Sequence, residues 1–281
     1  MNVVELTKSL ISCPSVTPNN EGVLDLLQKE LTDMGFTCNR YLFSDTDTPD
    51  VDNLFAKIGS GAPHLCFGGH TDVVPVGDEN AWSSNPFEAT EKNGKLYGRG
   101  ASDMKSAIAA FVSAVREYLE NNKVKGTISL LITNDEEGPA INGTRKVLEE
   151  IYKNGEKIDS CLVGEPTCPN NLGEMIKIGR RGSMTTTIKV SGKQGHVAYP
   201  EWTLNPINPL TSILNTLCNL ELDKGTEDFP PSNMEIVKIA SSEGATNIVP
   251  QTSTGTFNIR YNINHTKESL QSMINEVVSK N

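Results

Sequence analysis

The chain has 281 residues, 37% of them apolar and 21% charged, enough to build one large core or two smaller ones and too apolar for a chain disordered throughout. Its 35 acidic side chains against 25 basic ones give a formal charge of −10, which argues against a phosphate-backbone binder and hence against a nucleic-acid partner. No apolar run reaches the roughly 18 to 20 residues of a membrane span, and MNVVELTKSL lacks the basic-then-apolar layout of a signal peptide, so the expectation is a cytoplasmic protein with no membrane contact.

In chain order, Val23, Leu24, Leu27, Leu31 and Met34 fall at helical spacing, with Gly35 as the stop. Short apolar runs at 53–58 and 63–67 read as strands, the second leading into Gly68-Gly69-His70. From Asp103 to Glu120 the apolar positions Met104, Ile108, Phe111, Val112, Val115 and Leu119 lie on one helical face. TISLLIT (127–133) and Cys161 to Val163 are further buried-strand candidates, separated by a helix around 144–152. Alternating strands and helices predict an α/β domain over residues 1–181, with a mostly parallel sheet covered by helices on both faces.

After Arg181 the pattern changes, because Met184, Thr186, Ile188 and Val190 alternate as in a half-exposed antiparallel strand. A second domain over 182–281 is expected to continue with a helix (Leu210, Ile213, Leu214, Leu217), a strand near 234–239, a strand with Phe257, Ile259, Tyr261 and Ile263 inward, and a helix capped by Thr266. That β-α-β-β-α order is five elements of the six in a ferredoxin-like α+β unit. The six cysteines form no CxxC pair; Cys66 and Cys161 sit in apolar runs, and free thiols are expected throughout.

Four polar clusters follow strand candidates or open a helix: Gly69-His70-Thr71-Asp72, Gly100-Ala101-Ser102-Asp103, Asn134-Asp135-Glu136-Glu137-Gly138 and Gly164-Glu165-Pro166-Thr167. Strand carboxyl ends form the ligand-binding edge of an open α/β sheet. An HxD alone is commonly an ordinary turn, and an acidic triplet is commonly solvated. Four such clusters at one edge would repel one another unless cations neutralised them. Imidazole and carboxylates suit Zn²⁺ or neighbouring divalent ions, Co²⁺ among them, and Asp72 is spaced to hold the ring N–H of His70.

At these clusters the sequence resembles the co-catalytic zinc metallopeptidase family that includes aminoacylases, carboxypeptidases and deacylases of amino acids. The supporting strings are FGGHTDVVPVGD (67–78), LYGRGASDMKSAIAA (96–110), LLITNDEEGPAINGT (130–144), GEPT (164–167), IKIGRRGSM (176–184) and SGKQGHVAYP (191–200). The resemblance implies a zinc-aminopeptidase-like catalytic domain, a lid that also dimerises, and hydrolysis of an N-acyl bond in a small substrate with several carboxylates. It assigns His70 and Glu165 to one metal, Asp103 to the bridge between two metals, Glu137 to the second metal, and Glu136 as general base. It makes Arg180, Tyr199, Asn247 and Arg260 substrate contacts, leaves Arg181 less defined, and has His196 reach the partner subunit's site to stabilise an oxyanion. His64 and His265 read as structural.

The family's second metal also takes a histidine near the C-terminus, and none of the four histidines here has that place. The expectation for these residues is therefore a C-terminally shortened enzyme holding close to one zinc, through His70, Asp103 and Glu165, with weak turnover. Two further readings stand beside it: another deacylase or dipeptidase of the same family, and an inactive dimerising fragment.

Overall fold

The computed structural model describes residues 1–280. The chain divides into two compact units, Met1–Glu174 and the residues from Met175 onward. In the first, α1 (Val3–Ile11) opens with a capping box in which Asn2 Oδ1 accepts the Glu5 N–H at 2.9 Å and the Glu5 carboxylate accepts the Asn2 N–H at 3.3 Å. Next come α2 (Val23–Asp33), β1 (Thr37–Phe43), β2 (Val51–Ser60), β3 (His64–His70), a hairpin of β4 (Thr90–Lys92) and β5 (Lys95–Tyr97), α3 (Ser106–Asn121), β6 (Gly126–Thr133), α4 (Thr144–Lys153) and β7 (Ser160–Val163).

Five of these strands form one sheet in the order β1-β2-β6-β3-β7. It is mixed rather than mostly parallel: β3 runs parallel to β6 and β7, whereas β1/β2 and β2/β6 are antiparallel. The reason is connection length. Residues 44–50 suffice to turn β1 back along β2, while a parallel neighbour needs a crossover of about a dozen residues or more.

Side chains alternate between two buried faces, so the central strands read as continuous apolar runs. Leu54, Ala56, Phe67, Leu130 and Ile132 pack with Leu6, Leu10, Leu24, Leu27, Ile108 and Val112 of α1, α2 and α3. Phe55, Cys66 and Leu131 face the other way, onto Val147 and Ile151 of α4. Each fully buried Leu or Ile contributes about 1.5–3 kcal/mol through removal of apolar surface from water. The expected burial of the run at Cys161 is not seen: β7 lies at the sheet edge with all four residues exposed, since β3 pairs it on one side only.

The expected helix from Asp103 also changes. A five-residue turn, Ala101–Lys105, precedes α3, and within it Asp103 and Met104 have non-helical dihedrals. The regular helix starts at Ser106.

The second unit contains β8 (Gly182–Ser191), β9 (Gly195–His196), α5 (Ile207–Cys218), β10 (Asn233–Ser241), β11 (Ile248–Val249), β12 (Thr252–Tyr261) and α6 (Lys267–Lys280). An antiparallel sheet, β10-β12-β8, lays Met184, Phe257 and Ile259 against Leu210, Leu214, Leu217, Leu270 and Ile274 of the two helices. The last strand ends at Tyr261, two residues earlier than the alternation suggested, and Ile263 is 74% exposed. Asn262 breaks the pattern because its side-chain amide is drawn inward to Asp223 at 2.7 Å.

Asp223 organises this end of the unit. Its carboxylate also accepts the N–H groups of Gly225 and Ser232 and lies 3.3 Å from Nε2 of His265. Burial alone would raise its pKa, but donors from Ser232, Asn262 and Gly225 outweigh that and hold it well below the ordinary range. The folded-state pKa is depressed, so its stabilisation is full above the ordinary value near 3.8 and is lost as pH falls below it. Asp223→Asn is expected to lower the urea midpoint near neutrality and to flatten its decline in acid; parallel pH profiles for the two proteins would contradict this role.

Candidate metal centre

The C-terminal ends of β3, β6 and β7 bring His70, Glu136, Glu137 and Glu165 to one rim, and the turn before α3 adds Asp103. His70 is buried, with Nε2 at 3.0 Å from Asp103 Oδ1, 3.5 Å from Glu165 Oε1 and 3.9 Å from Glu136 Oε2. Ligand atoms of His70, Asp103 and Glu165 lie within 4.8 Å of one another, as do those of His70, Glu136 and Glu137. The four clusters separated in sequence therefore converge. Glu136, expected as the base, and Glu137, expected as a ligand, stand in the same donor group.

The turn that delivers Asp103 is held from below. Met104 tucks its side chain under β3 and β7, where a Cβ on Gly69 would sit 2.7 Å and one on Gly164 2.8 Å from its terminal methyl. Its sulfur accepts the His70 N–H at 3.3 Å. The next residue, Lys105, is fully buried and donates to the carbonyls of Leu10 and Cys13 at 2.9 and 2.8 Å, which ties the C-terminal end of α1 to this turn. Burial pulls the Lys105 pKa down to about 8 against the opposing charges of Cys13 and Asp72.

Asp72 has two tasks. The His70 ring donates through Nδ1 to the Asp72 carbonyl oxygen at 2.8 Å, with the Asp72 carboxylate at 3.5 Å rather than in the direct contact its spacing suggested. That carboxylate is instead the acceptor for the backbone N–H groups of Glu136 and Glu137 at 3.1 and 3.0 Å. One buried anion thus fixes the turn that carries both glutamates.

Asp135, given no role of its own by the sequence pattern, has the matching task on the other side. It is buried and accepts the N–H groups of Ala140, Ile141 and Asn142 at 3.1, 2.9 and 2.9 Å, closing the loop after Glu137. Met104 and Lys105 lie within the stretch whose apolar spacing predicts helix. A lysine inside an apolar helical stripe was the available signal for Lys105.

The donor set fits a divalent cation. Both ring nitrogens of His70 face acceptors, and the ring is held as an imidazolium: burial disfavours the charge, but the Asp72 and Glu165 oxygens overcome it and raise the pKa to about 9. Burial, reinforced by the negative charge of Asp103, raises the pKa of Glu137. A proton on His70 fills part of the place of positive charge among these carboxylates.

In the second unit His196, Tyr199 and Asn247 come together. His196 pairs with Ile248 across β9/β11, and its Nε2 lies 3.4 Å from the Asn247 amide nitrogen. Nδ1 accepts the Ala198 N–H at 3.1 Å. The Tyr199 ring is 5.8 Å from the imidazole and stacks on Trp202 at 5.2 Å. Arg260 is exposed on β12 and lies in register with Ser183; Arg180 is exposed ahead of β8. Arg181 is engaged elsewhere, donating to Pro231 O and Asn233 Oδ1 at 3.2 and 3.0 Å. His64 and His265 are structural: His64 lies between Lys157 O and Ser129 Oγ, and His265 contacts Leu222 O and Asp223.

Residues 66–273 match the model of peptidase family M20/M25/M40, and the chain belongs to this family of metal-dependent hydrolases. It is 52% identical over 275 residues to a protein of Parvibaculum lavamentivorans named succinyl-diaminopimelate desuccinylase, covering 98% of this chain and 69% of that protein. A protein of the same name from Rhodospirillum centenum is 51% identical over 278 residues, covering 99% of this chain and 72% of its own length. Among solved structures, an M20 family metallo-carboxypeptidase of Sulfolobus solfataricus has the same fold, with a TM-score of 0.79 at 19% identity over 100% of this chain and 76% of that one.

Because a metal must displace the proton on His70, affinity is expected to rise with pH and to level off above about 9. Zinc titration by calorimetry in buffers of different ionisation enthalpy checks this. Near neutrality about one proton should leave His70 per ion bound at that ring; no proton release would contradict the imidazolium.

Proposed function

We propose that this chain hydrolyses N-succinyl-LL-2,6-diaminopimelate to succinate and LL-2,6-diaminopimelate, in the cytoplasm, on the path to lysine and cell-wall precursors. The observation that carries this reading is identity above 50% across nearly the whole chain to relatives of that name, joined to the convergence of His70, Asp103 and Glu165. Zinc is the expected metal, with cobalt as an alternative, and His70, Asp103, Glu137 and Glu165 are its protein ligands. A bound divalent ion supplies polarisation of the amide carbonyl and an acidified water.

Glu136 is the general base. Its backbone is clamped by Asp72 while its side chain remains 43% exposed, facing the reacting centre from a fixed turn. It takes the proton of the attacking water as the carbon–oxygen bond forms, then returns it to the departing nitrogen as the carbon–nitrogen bond breaks. His196 donates from Nε2 to the oxyanion, delivered from the second copy of a homodimer formed through the unit that starts at Met175. Arg180 and Arg260 hold substrate carboxylates through planar, two-point contacts, with Tyr199 and Asn247 beside them.

Glu136→Gln should retain metal while losing roughly 10²–10⁴ in kcat. Metal content with single-turnover assays on the succinylated substrate separates those two effects, and full activity in this variant would sink the assignment of the base. Acetylornithine as a competing substrate tests the acyl specificity: a higher kcat/KM on it would favour the other deacylase of the family. His196→Ala is expected to cut kcat about 10²–10³ with little change in KM. A change confined to KM would make His196 a binding residue instead.

A further inference from the structure

Cys66 and Cys161 are register partners on the adjacent parallel strands β3 and β7. Cys66 is buried against Leu131 and Val147, and Cys161 is exposed on the edge strand. Neighbouring strands lie about 4.8 Å apart, inside the roughly 4.4–6.8 Å between Cα atoms that a disulfide spans. The two side chains therefore stand on the same side of the sheet, and a Cβ on Gly68, two residues after Cys66, would lie 3.4 Å from the Cys161 sulfur. Cys66 stands four residues before His70, and Cys161 four residues before Glu165. The pair therefore sits at one level behind two groups that converge on the candidate metal.

We propose that Cys66 and Cys161 form an oxidation site, in which a hydroperoxide converts the exposed thiol and the buried one resolves it to a reversible disulfide that shifts His70 relative to Glu165. The neighbouring Cys66 thiol holds the Cys161 pKa below the ordinary thiol value against the effect of burial, while that of Cys66 is raised. A solvent-accessible thiolate beside a resolving thiol is the arrangement that reacts with peroxides.

In the first step the Cys161 thiolate attacks one peroxide oxygen. The O–O bond breaks, giving the sulfenic acid and hydroxide, or alkoxide from an organic peroxide. In the second, the Cys66 sulfur attacks the Cys161 sulfur, an S–S bond forms, and the departing hydroxide leaves as water with the Cys66 proton. Two electrons pass from the thiols to the peroxide. The bond draws β7 toward β3 behind Gly68, where a Cβ would already lie 3.4 Å from the Cys161 sulfur.

The experiment treats the metal-free full chain with hydrogen peroxide, then maps thiols by differential alkylation and mass spectrometry, with zinc affinity measured by chelator competition before oxidation, after it, and after dithiothreitol. The expected result is a linked 66–161 peptide, lost in Cys161→Ser and in Cys66→Ala, together with a zinc affinity lower by about tenfold that dithiothreitol restores. Cys161→Ser, altered at an exposed position, should keep its zinc affinity through peroxide treatment. No linked peptide, or oxidation that stops at Cys161 sulfinic acid, overturns the site. A linked peptide with unchanged zinc affinity overturns its coupling to the metal ligands.

Discussion

The His70 imidazole is walled in by oxygen atoms: the Asp72 carbonyl on one ring nitrogen, and Asp103, Glu165 and Glu136 around the other. A buried ring among carboxylates needs positive charge, because like charges at these separations in a low-dielectric rim repel strongly. The strand ends, the turn before α3 and the loop after β6 are all arranged about that need. A proton on the ring answers it in part, and a divalent ion answers it for the whole set of donors.

The support beneath this rim is mostly neutral or anionic backbone chemistry rather than further cations. Asp72 and Asp135 each accept backbone N–H groups from the loop holding Glu136 and Glu137, so the two glutamates ride on a turn clamped from both sides. Such shells fix ligand orientation and basicity. Lys105 is a buried cation close by, and it donates to the carbonyls of Leu10 and Cys13. It anchors α1 to the turn and leaves the field at the metal rim to the ion.

The second unit follows a different economy of charge. Its core is a plain antiparallel sheet on two helices, and its polar order rests on Asp223 with its amide donors and His265. His196, Tyr199 and Asn247, distant in sequence, meet on a two-strand pairing between β9 and β11. All three side chains are exposed.

Much of this was written in residue pattern. Leu24, Leu27 and Leu31 declared a helix, Met184 to Val190 a half-exposed strand, and the clusters around His70, Asp103, Glu136 and Glu165 a single sheet edge, because hydrophobic period and strand-end position are local properties. Other features depended on residues far apart in the chain. The direction of β2 beside β6 decided that the sheet is mixed. Packing of Met104 under Gly69 and Gly164 moved Asp103 out of the helix. The Asp72 carboxylate turned away from His70 toward the amides of Glu136 and Glu137. Local sequence sets which conformations and donors a segment can offer; which acceptor each donor meets, and which strand lies beside which, is settled only when distant segments compete for the same buried space.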